Sequence, residues 1–268
     1  MQSAIVFLGT GSGSLVRAKQ TRSTGGIVII EEGNQFMLDP GPGAVVKAKE
    51  AGINLRQNLA LFVSHSHLGH ANDINVVLDA MTYSGLDRQG ILVVSKSLVQ
   101  PSDYLTPALY PNFKNYVERC IILEPKQKLA INNIEVRALE CIHSDPNTIG
   151  FKFLTSNFVL SYTSDTSYHK DLIEQYKNSD ILVLNVVSPE KSEHNLCVDD
   201  AVKIIKEVNP ALAIITHFNN KMIDADPIYI AREIQKLTNV QTIAAKDGLV
   251  IDPASYAARS KQKLLQGY

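Results

Sequence analysis

The apolar run Leu59-Ala-Leu-Phe-Val63 passes directly into Ser-His-Ser-His-Leu-Gly-His70, and no other stretch constrains the fold as tightly. A short apolar run that stops at polar residues reads as a buried strand reaching a surface. Residues two apart on an extended segment project to the same side, so His65 and His67 would aim together. His70, where a helix begins, can close on the same point from another direction. Imidazole is the commonest metal ligand because it is neutral near physiological pH and offers a borderline-soft nitrogen. The chain has seven histidines, and three of them fall within six residues. Chance placement on a surface explains that poorly. The stretch reads as one part of a metal centre, and the fold must supply the rest.

Short β-rich runs dominate the first half: Ala4–Leu8, Gly26–Glu31, Gln35–Leu38, Leu59–Val63 and Ile91–Val94. Ile134–Glu140, Ile149–Leu154 and Phe158–Tyr162 follow, all bounded by Gly, Pro, Asn and Asp. Helical spacing of apolar residues marks Asn72–Thr82, Asp199–Val208 and Asp226–Leu237. Asp199 and Asp226 are expected N-caps, the second with Pro227 at the first helical position. Two further buried strands, Ile181–Val187 and Ala211–Thr216, each follow a helical segment. That alternation predicts an α/β protein, while periodicity leaves the sheet topology open. No linker, repeat or low-complexity tract divides residues 1–268, which predicts a single domain.

A net charge of −1 and the absence of any block of Lys or Arg give no electrostatic footprint for nucleic acid. The tail Arg259-Ser-Lys-Gln-Lys263 is too short to change that and reads as a solvated helix end. Met1-Gln-Ser-Ala-Ile-Val-Phe-Leu-Gly9 has no basic segment before its apolar run, so a first strand is expected there and not a signal peptide. No apolar stretch approaches the roughly 18 residues of a membrane span. Cys120, Cys141 and Cys197 are odd in number and form no C-x-x-C pair. They suit a reducing, cytoplasmic setting, with all three buried or incidental.

Further ligands should stand at strand ends, and three residues do. His143 follows Ile134–Glu140, Asp165 follows Phe158–Tyr162, and His217 ends the run beginning at Ala211. With the triplet, this pattern resembles the metallo-β-lactamase superfamily signature His-x-His-x-Asp-His, except that Gly69 stands where the family has Asp. The resemblance covers most of the chain. Leu8-Gly-Thr-Gly-Ser-Gly13 is similar to the opening turn of the branch holding ribonuclease Z and related phosphodiesterases. Asp39, in Asp-Pro-Gly-Pro-Gly43, matches the aspartate that stands behind the ligands, although by itself it could simply begin a turn.

The resemblance implies an αββα four-layer sandwich with ligands on loops along one edge. It implies that His65, His67 and His143 hold one metal, that His70 and His217 hold a second, and that Asp165 bridges them. His194, just before the Asp199 helix, matches the histidine that protonates the leaving oxygen in the phosphodiesterase branch; a solvent-facing loop residue is the plainer reading. His169 reads as exposed. The implied function is hydrolysis by a metal-activated hydroxide, most naturally of phosphodiesters. The implied cofactor is one or two zinc ions, with Mn or Fe equally compatible with a His/Asp set. The expected partner is a small anionic or nucleotide-like substrate, RNA stays open, and membranes are not expected. Members of this branch are often dimers, so a homodimer is within the expectation.

Gly69 removes a carboxylate from the second site and makes the centre more positive by one charge. The expectation is one tight metal, one weak metal, and a preference for anionic substrates. Asp73, one turn on, could reach back about 5–6 Å to the vacancy, but capping the helix is its more ordinary task. Two alternatives follow. One is a tRNA 3′-processing endonuclease without the protruding arm, since only 22 residues separate His143 from Asp165. The other is a metal-binding protein with weakened catalysis. The large spacer, from Tyr83 to about Ala130, carries Tyr104, Tyr110, Phe113 and Tyr116. A packed surface loop is expected, with pocket cover or subunit contact as further readings.

Overall fold

The computed structural model describes residues 3–101 and 106–257; Tyr104 and the basic tail at 259–263 lie outside them. The described residues fall into two compact units. One takes the chain up to Glu124 together with Lys246–Ile251, and the other takes Pro125–Ala245 and the residues from Asp252 onward.

The first unit contains β1 (Ala4–Phe7), β2 (Ile27–Glu31), β3 (Asn34–Leu38), β4 (Asn58–Val63), β5 (Ile91–Val94) and β6 (Arg119–Ile122). Its helices are α1 (Gly13–Lys19), α2 (Ala44–Glu50), α3 (Leu68–Ala71) and α4 (Ile74–Thr82). β1, β2 and β3 pair antiparallel, and β3 to β6 continue in parallel. A central parallel strand is covered on both faces and so reads as an unbroken apolar run. That is why Leu59–Val63 lacked alternation. On one face Leu61 and Val63, with Leu92 and Val94 of β5, share a buried cluster with Ile74, Val77, Leu78 and Met81 of α4. These α4 residues recur at helical spacing, so the helix lays one apolar stripe on the sheet. On the other face Phe62 meets Phe36 edge-on, with ring centroids 5.8 Å apart.

The described part of the long spacer is docked on α4. Asn75 donates to the Ala108 carbonyl (2.8 Å) and accepts from the Tyr110 amide (2.9 Å). Phe113 stacks between Tyr110 and Tyr116, at 5.8 and 4.5 Å. These described residues pack on the surface of the first unit, while the same spacer also carries β5 and β6.

The second unit contains β7 (Lys128–Ile131), β8 (Ile134–Glu140), β9 (Ile149–Leu154), β10 (Val159–Tyr162), β11 (Ile181–Ser188), β12 (Leu196–Cys197), β13 (Leu212–Thr216) and β14 (Thr242–Ala244). Its helices are α5 (Leu172–Tyr176), α6 (Val198–Val208), α7 (Asn220–Asp224) and α8 (Pro227–Thr238). The strand order is β14-β13-β11-β10-β9-β8-β7, with β12 beside β11. β7 to β10 form an antiparallel meander, and β10, β11, β13 and β14 run parallel. Ala201, Ile204 and Ile205 of α6 and Ala231 and Ile234 of α8 bury against Leu182, Leu184, Ala213 and Ile215. The interval between His143 and Asp165 holds the β9–β10 hairpin and no arm. The chain then returns to the first unit, where β15 (Leu249–Ile251) pairs antiparallel with β1 and completes a seven-stranded sheet.

Side-chain caps mark the starts of α7 and α8. Asp226 accepts from the Ile228 amide at 3.0 Å, with Pro227 at the first helical position, as expected. α6 differs: it begins after Cys197 and not at Asp199. The β12 bridge to β11 fixes the chain there, and the Asp200 carboxylate accepts both the Cys197 amide (3.4 Å) and its thiol (3.1 Å). Burial pushes the Cys197 thiol up from its ordinary pKa. Cys141 and Cys120 are partly exposed. Among the described residues no helix is long and apolar enough to cross a membrane.

Candidate metal centre

In the first unit, β4 delivers the histidine triplet at its C-terminal end. His65 is fully buried and His70 nearly so. The His65 ring centroid lies 4.7 Å from that of His67 and 4.2 Å from that of His70. The alternation of an extended segment puts the first two rings together, and α3 brings the third back onto them.

Asp39 holds this cluster from behind. It follows β3, is 4% exposed, and adopts a left-handed backbone (φ 48°). Its Oδ1 accepts the Ser64 amide (2.7 Å), and its Oδ2 accepts the Ser64 hydroxyl (2.8 Å) and faces His70 Nδ1 (2.9 Å). Ser64 Oγ in turn lies 2.9 Å from His65 Nδ1. An ionised carboxylate only accepts hydrogen bonds, so Nδ1 of His70 carries its proton. The Ser64 hydroxyl spends its hydrogen on Asp39 and must accept from His65 Nδ1–H. Both rings are therefore fixed in the tautomer whose lone pair is on Nε2. A hydrogen bond at the far nitrogen is how proteins orient metal-binding histidines. Asp39 also begins a turn, its carbonyl accepting the Gly41 amide at 2.8 Å, so both readings of that residue hold.

Gly69 is buried within α3. A side chain at Gly41 would stand 2.1 Å from the Gly69 carbonyl oxygen and 2.0 Å from that of Thr24. Glycine at 41 is thus what allows the loop to lie against the triplet. Asp73 is turned toward that loop. Its Oδ2 accepts the Gly43 amide (3.0 Å), its Oδ1 accepts from Asn72 (2.8 Å), and its own amide donates to the Pro40 carbonyl (2.9 Å). Asp73 occupies the N-cap position of α4 without a side-chain cap bond. The expected cap is corrected: the loop amide takes the carboxylate that would have served the helix. The carboxylate is equally committed away from the place left by Gly69.

In the second unit, His143, Asp165 and His217 stand past β8, β10 and β13 respectively. Asp165 Oδ2 lies 3.8 Å from His143 Nε2 and 3.5 Å from His217 Nε2. The three residues expected from strand ends are therefore gathered around one carboxylate oxygen. His143 Nδ1 is 2.7 Å from the His194 carbonyl. A carbonyl only accepts, so this ring too carries its proton on Nδ1 and its lone pair on Nε2. His217 takes a left-handed backbone (φ 66°), a strained state for a residue with a Cβ and one that recurs at functional sites.

His194 thus enters first through its backbone. Its ring is about half exposed and lies 6.4 Å from the His143 ring. His169 is exposed beside Asp171, as expected. Sequence reasoning passed over Asn185. This residue is 1% exposed in the middle of β11, and its amide nitrogen donates to Asp165 Oδ1 at 2.7 Å. One signal did exist: Asn185 is the lone polar residue in Ile-Leu-Val-Leu-Asn-Val-Val187, and a buried polar group needs a partner.

In each unit the donors are imidazoles, joined in the second by one carboxylate, and such donors suit a borderline divalent cation such as Zn, Mn or Fe better than Ca or Mg, which favour all-oxygen sites. The tautomers of His65, His70 and His143 agree with that.

A family model described as the beta-lactamase superfamily domain matches residues 34–218. The uncharacterized protein MJ1374 of Methanocaldococcus jannaschii is 31% identical over 256 residues, covering 94% of this chain and 96% of its own. Among solved structures, the metallo-beta-lactamase fold protein YhfI from Bacillus subtilis is similar at TM-score 0.77 and 18% identity, over 94% of this chain and 99% of that one. A diphosphatase from the PhnP family is similar at TM-score 0.69 and 17% identity, over 94% and 97%.

Proposed function

The chain belongs to the beta-lactamase superfamily and has the metallo-β-lactamase fold; from that premise we propose that it is a metal-dependent hydrolase of phosphodiester bonds. In this reading His65, His67 and His143 would hold one divalent cation, His70 and His217 would hold a second, and Asp165 would be a ligand shared by the two. The observation that carries it is the state of the rings: His65, His70 and His143 each spend Nδ1–H on an oxygen, which reserves Nε2 for a ligand. Bound cations would supply Lewis acidity and an activated water.

The chain's own residues do the rest. Asp39 and Ser64 orient two imidazoles, and the His194 carbonyl orients a third. The His194 ring, partly exposed beside His143, delivers a proton to the leaving oxygen, a task suited to imidazole near neutral pH. Gly69 leaves Asp165 as the only carboxylate among the six ligands. Such a centre stays strongly positive, which favours an anionic substrate, and it holds its second cation weakly. A diphosphatase from the PhnP family shares the fold, which supports a phosphate-bearing substrate.

The test pairs metal content by plasma mass spectrometry with turnover of bis-p-nitrophenyl phosphate in added zinc or manganese. One tight ion per chain and metal-dependent turnover are expected. Two tight ions contradict the argument from Gly69. Retained metal without turnover makes the protein a binder, and cleavage of precursor tRNA in place of the small ester makes it a nuclease.

A further inference from the structure

The geometry points to Asn185 as the positioning residue that makes Asp165 present a single oxygen, Oδ2, to the cations. This inference rests on the metal-centre reading above and says how its one carboxylate works.

Asn185 lies on β11, between the strands that carry the other two partners. β10 leads to Asp165 on one side, and β13 leads to His217 on the other, with Asn185 in register with Thr216. Its backbone amide is held by Thr163 Oγ1 at 3.2 Å. Its side-chain nitrogen has two hydrogens and two acceptors, Asp165 Oδ1 at 2.7 Å and the Tyr162 hydroxyl at 3.2 Å. The 2.7 Å contact with a carboxylate requires the nitrogen, not the oxygen, on that side. Asn185 Oδ1 is buried without a hydrogen-bond partner among the described residues. An unmade buried hydrogen bond is costly, and the amide keeps this orientation in spite of it. The contact to Asp165 is what the position is built around.

The consequence falls on the other oxygen. With Oδ1 engaged by an amide donor, the carboxylate cannot rotate freely, and Oδ2 is the atom facing both His143 Nε2 and His217 Nε2. Asp165 is therefore set to bind through one atom and not to offer one oxygen to each cation. Asparagine suits this role better than aspartate, which would place two carboxylates in contact, or leucine, which would leave Oδ1 available.

The test uses the purified full-length chain, stripped of metal and titrated with zinc against a chromophoric chelator. Asn185→Leu keeps the branched shape, at a larger volume, and removes the donor; Asn185→Ala opens space in which a water can donate instead. Zinc should bind about 10–100-fold more weakly to the Leu variant, and the Ala variant should lie between it and the native protein. Native affinity in both folded variants overturns the inference while leaving the metal reading intact. No zinc binding by the native chain overturns both. Should neither variant fold, a crystal structure of the native zinc form decides. Asp165 bound through Oδ2 alone with Asn185 on Oδ1 supports the inference; both oxygens on cations overturns it.

Discussion

The two ligand sets solve one problem with different materials. The first set is contiguous in sequence, and its rings are aimed by side chains: one carboxylate, Asp39, holds His70 directly and His65 through Ser64. The second set is drawn from three strand ends, and His143 is aimed by a backbone carbonyl. A side chain can be deleted by one substitution, whereas a carbonyl cannot. The first set is therefore fragile at a point shared by two rings; in the second, His143 is spared that weakness, whereas Asp165, held by the Asn185 side chain, is not. The fold can afford this because strand ends are already fixed by pairing, while a loop that follows a strand needs an added anchor.

The largest effect should come from Asp39→Ala. It removes the acceptor of the His70 ring and of the Ser64 hydroxyl that positions His65, and with them the acceptor of the Ser64 amide, three buried donors in all. Loss of one such supporting partner typically weakens metal binding about 10–100-fold. Because Asp39 serves two rings, the expected loss is at least about 100-fold. Each stranded donor should also lower stability by about 1–3 kcal/mol. Metal titration and chemical denaturation measure the two parts. If affinity falls no further than for a variant touching one ring, the picture of a shared anchor is wrong.

The fold was legible where burial imposes a pattern. Runs such as Leu59–Val63 and Ile181–Val187 are strands covered on both faces, and the α4, α6 and α8 stripes follow helical spacing. What escaped notice is short or at an edge. β6, β14 and β15 have three or four residues, and β6 is largely exposed, so no period can show. α1 buries only Val16 and presents no stripe. The triplet, His143, Asp165 and His217 were legible because strand ends and residue chemistry coincide there. The groups that aim them were less so. Ser64 is an ordinary serine until its distance to Asp39 is known, and the His194 carbonyl has no sequence signature at all. Asp199 and Asp73 were misjudged as caps because a tertiary contact, the β12 bridge in one case and the Gly43 amide in the other, overrode local preference.

His194→Ala probes the second set at the point where it should resist. The carbonyl that receives His143 Nδ1–H survives the substitution, so metal affinity should stay within about twofold of native if the loop keeps its path. Turnover of a phosphodiester should nevertheless fall about 100-fold or more, the usual range for removing a general acid. Affinity and turnover falling together would mean that the ring, and not the backbone, supports His143. Turnover unchanged would remove His194 from the chemistry.

Ser64→Ala gives the smallest effect and the finest resolution, because it divides the first set. The hydroxyl links Asp39 to His65 alone; the Asp39 contact to His70 does not pass through it. The variant retains the Ser64 backbone amide bond to Asp39 Oδ1, so the carboxylate keeps its place. The His65 ring alone loses the acceptor that fixes its tautomer, and about a tenfold loss in metal affinity is expected, the low end for a supporting partner. In the proposed assignment His65 and His70 serve different cations. The loss should therefore appear in the tight ion and spare the weak one, read as separate phases of a zinc titration. A loss spread over both phases would mean that the two rings share a cation, and the division of ligands would have to be redrawn.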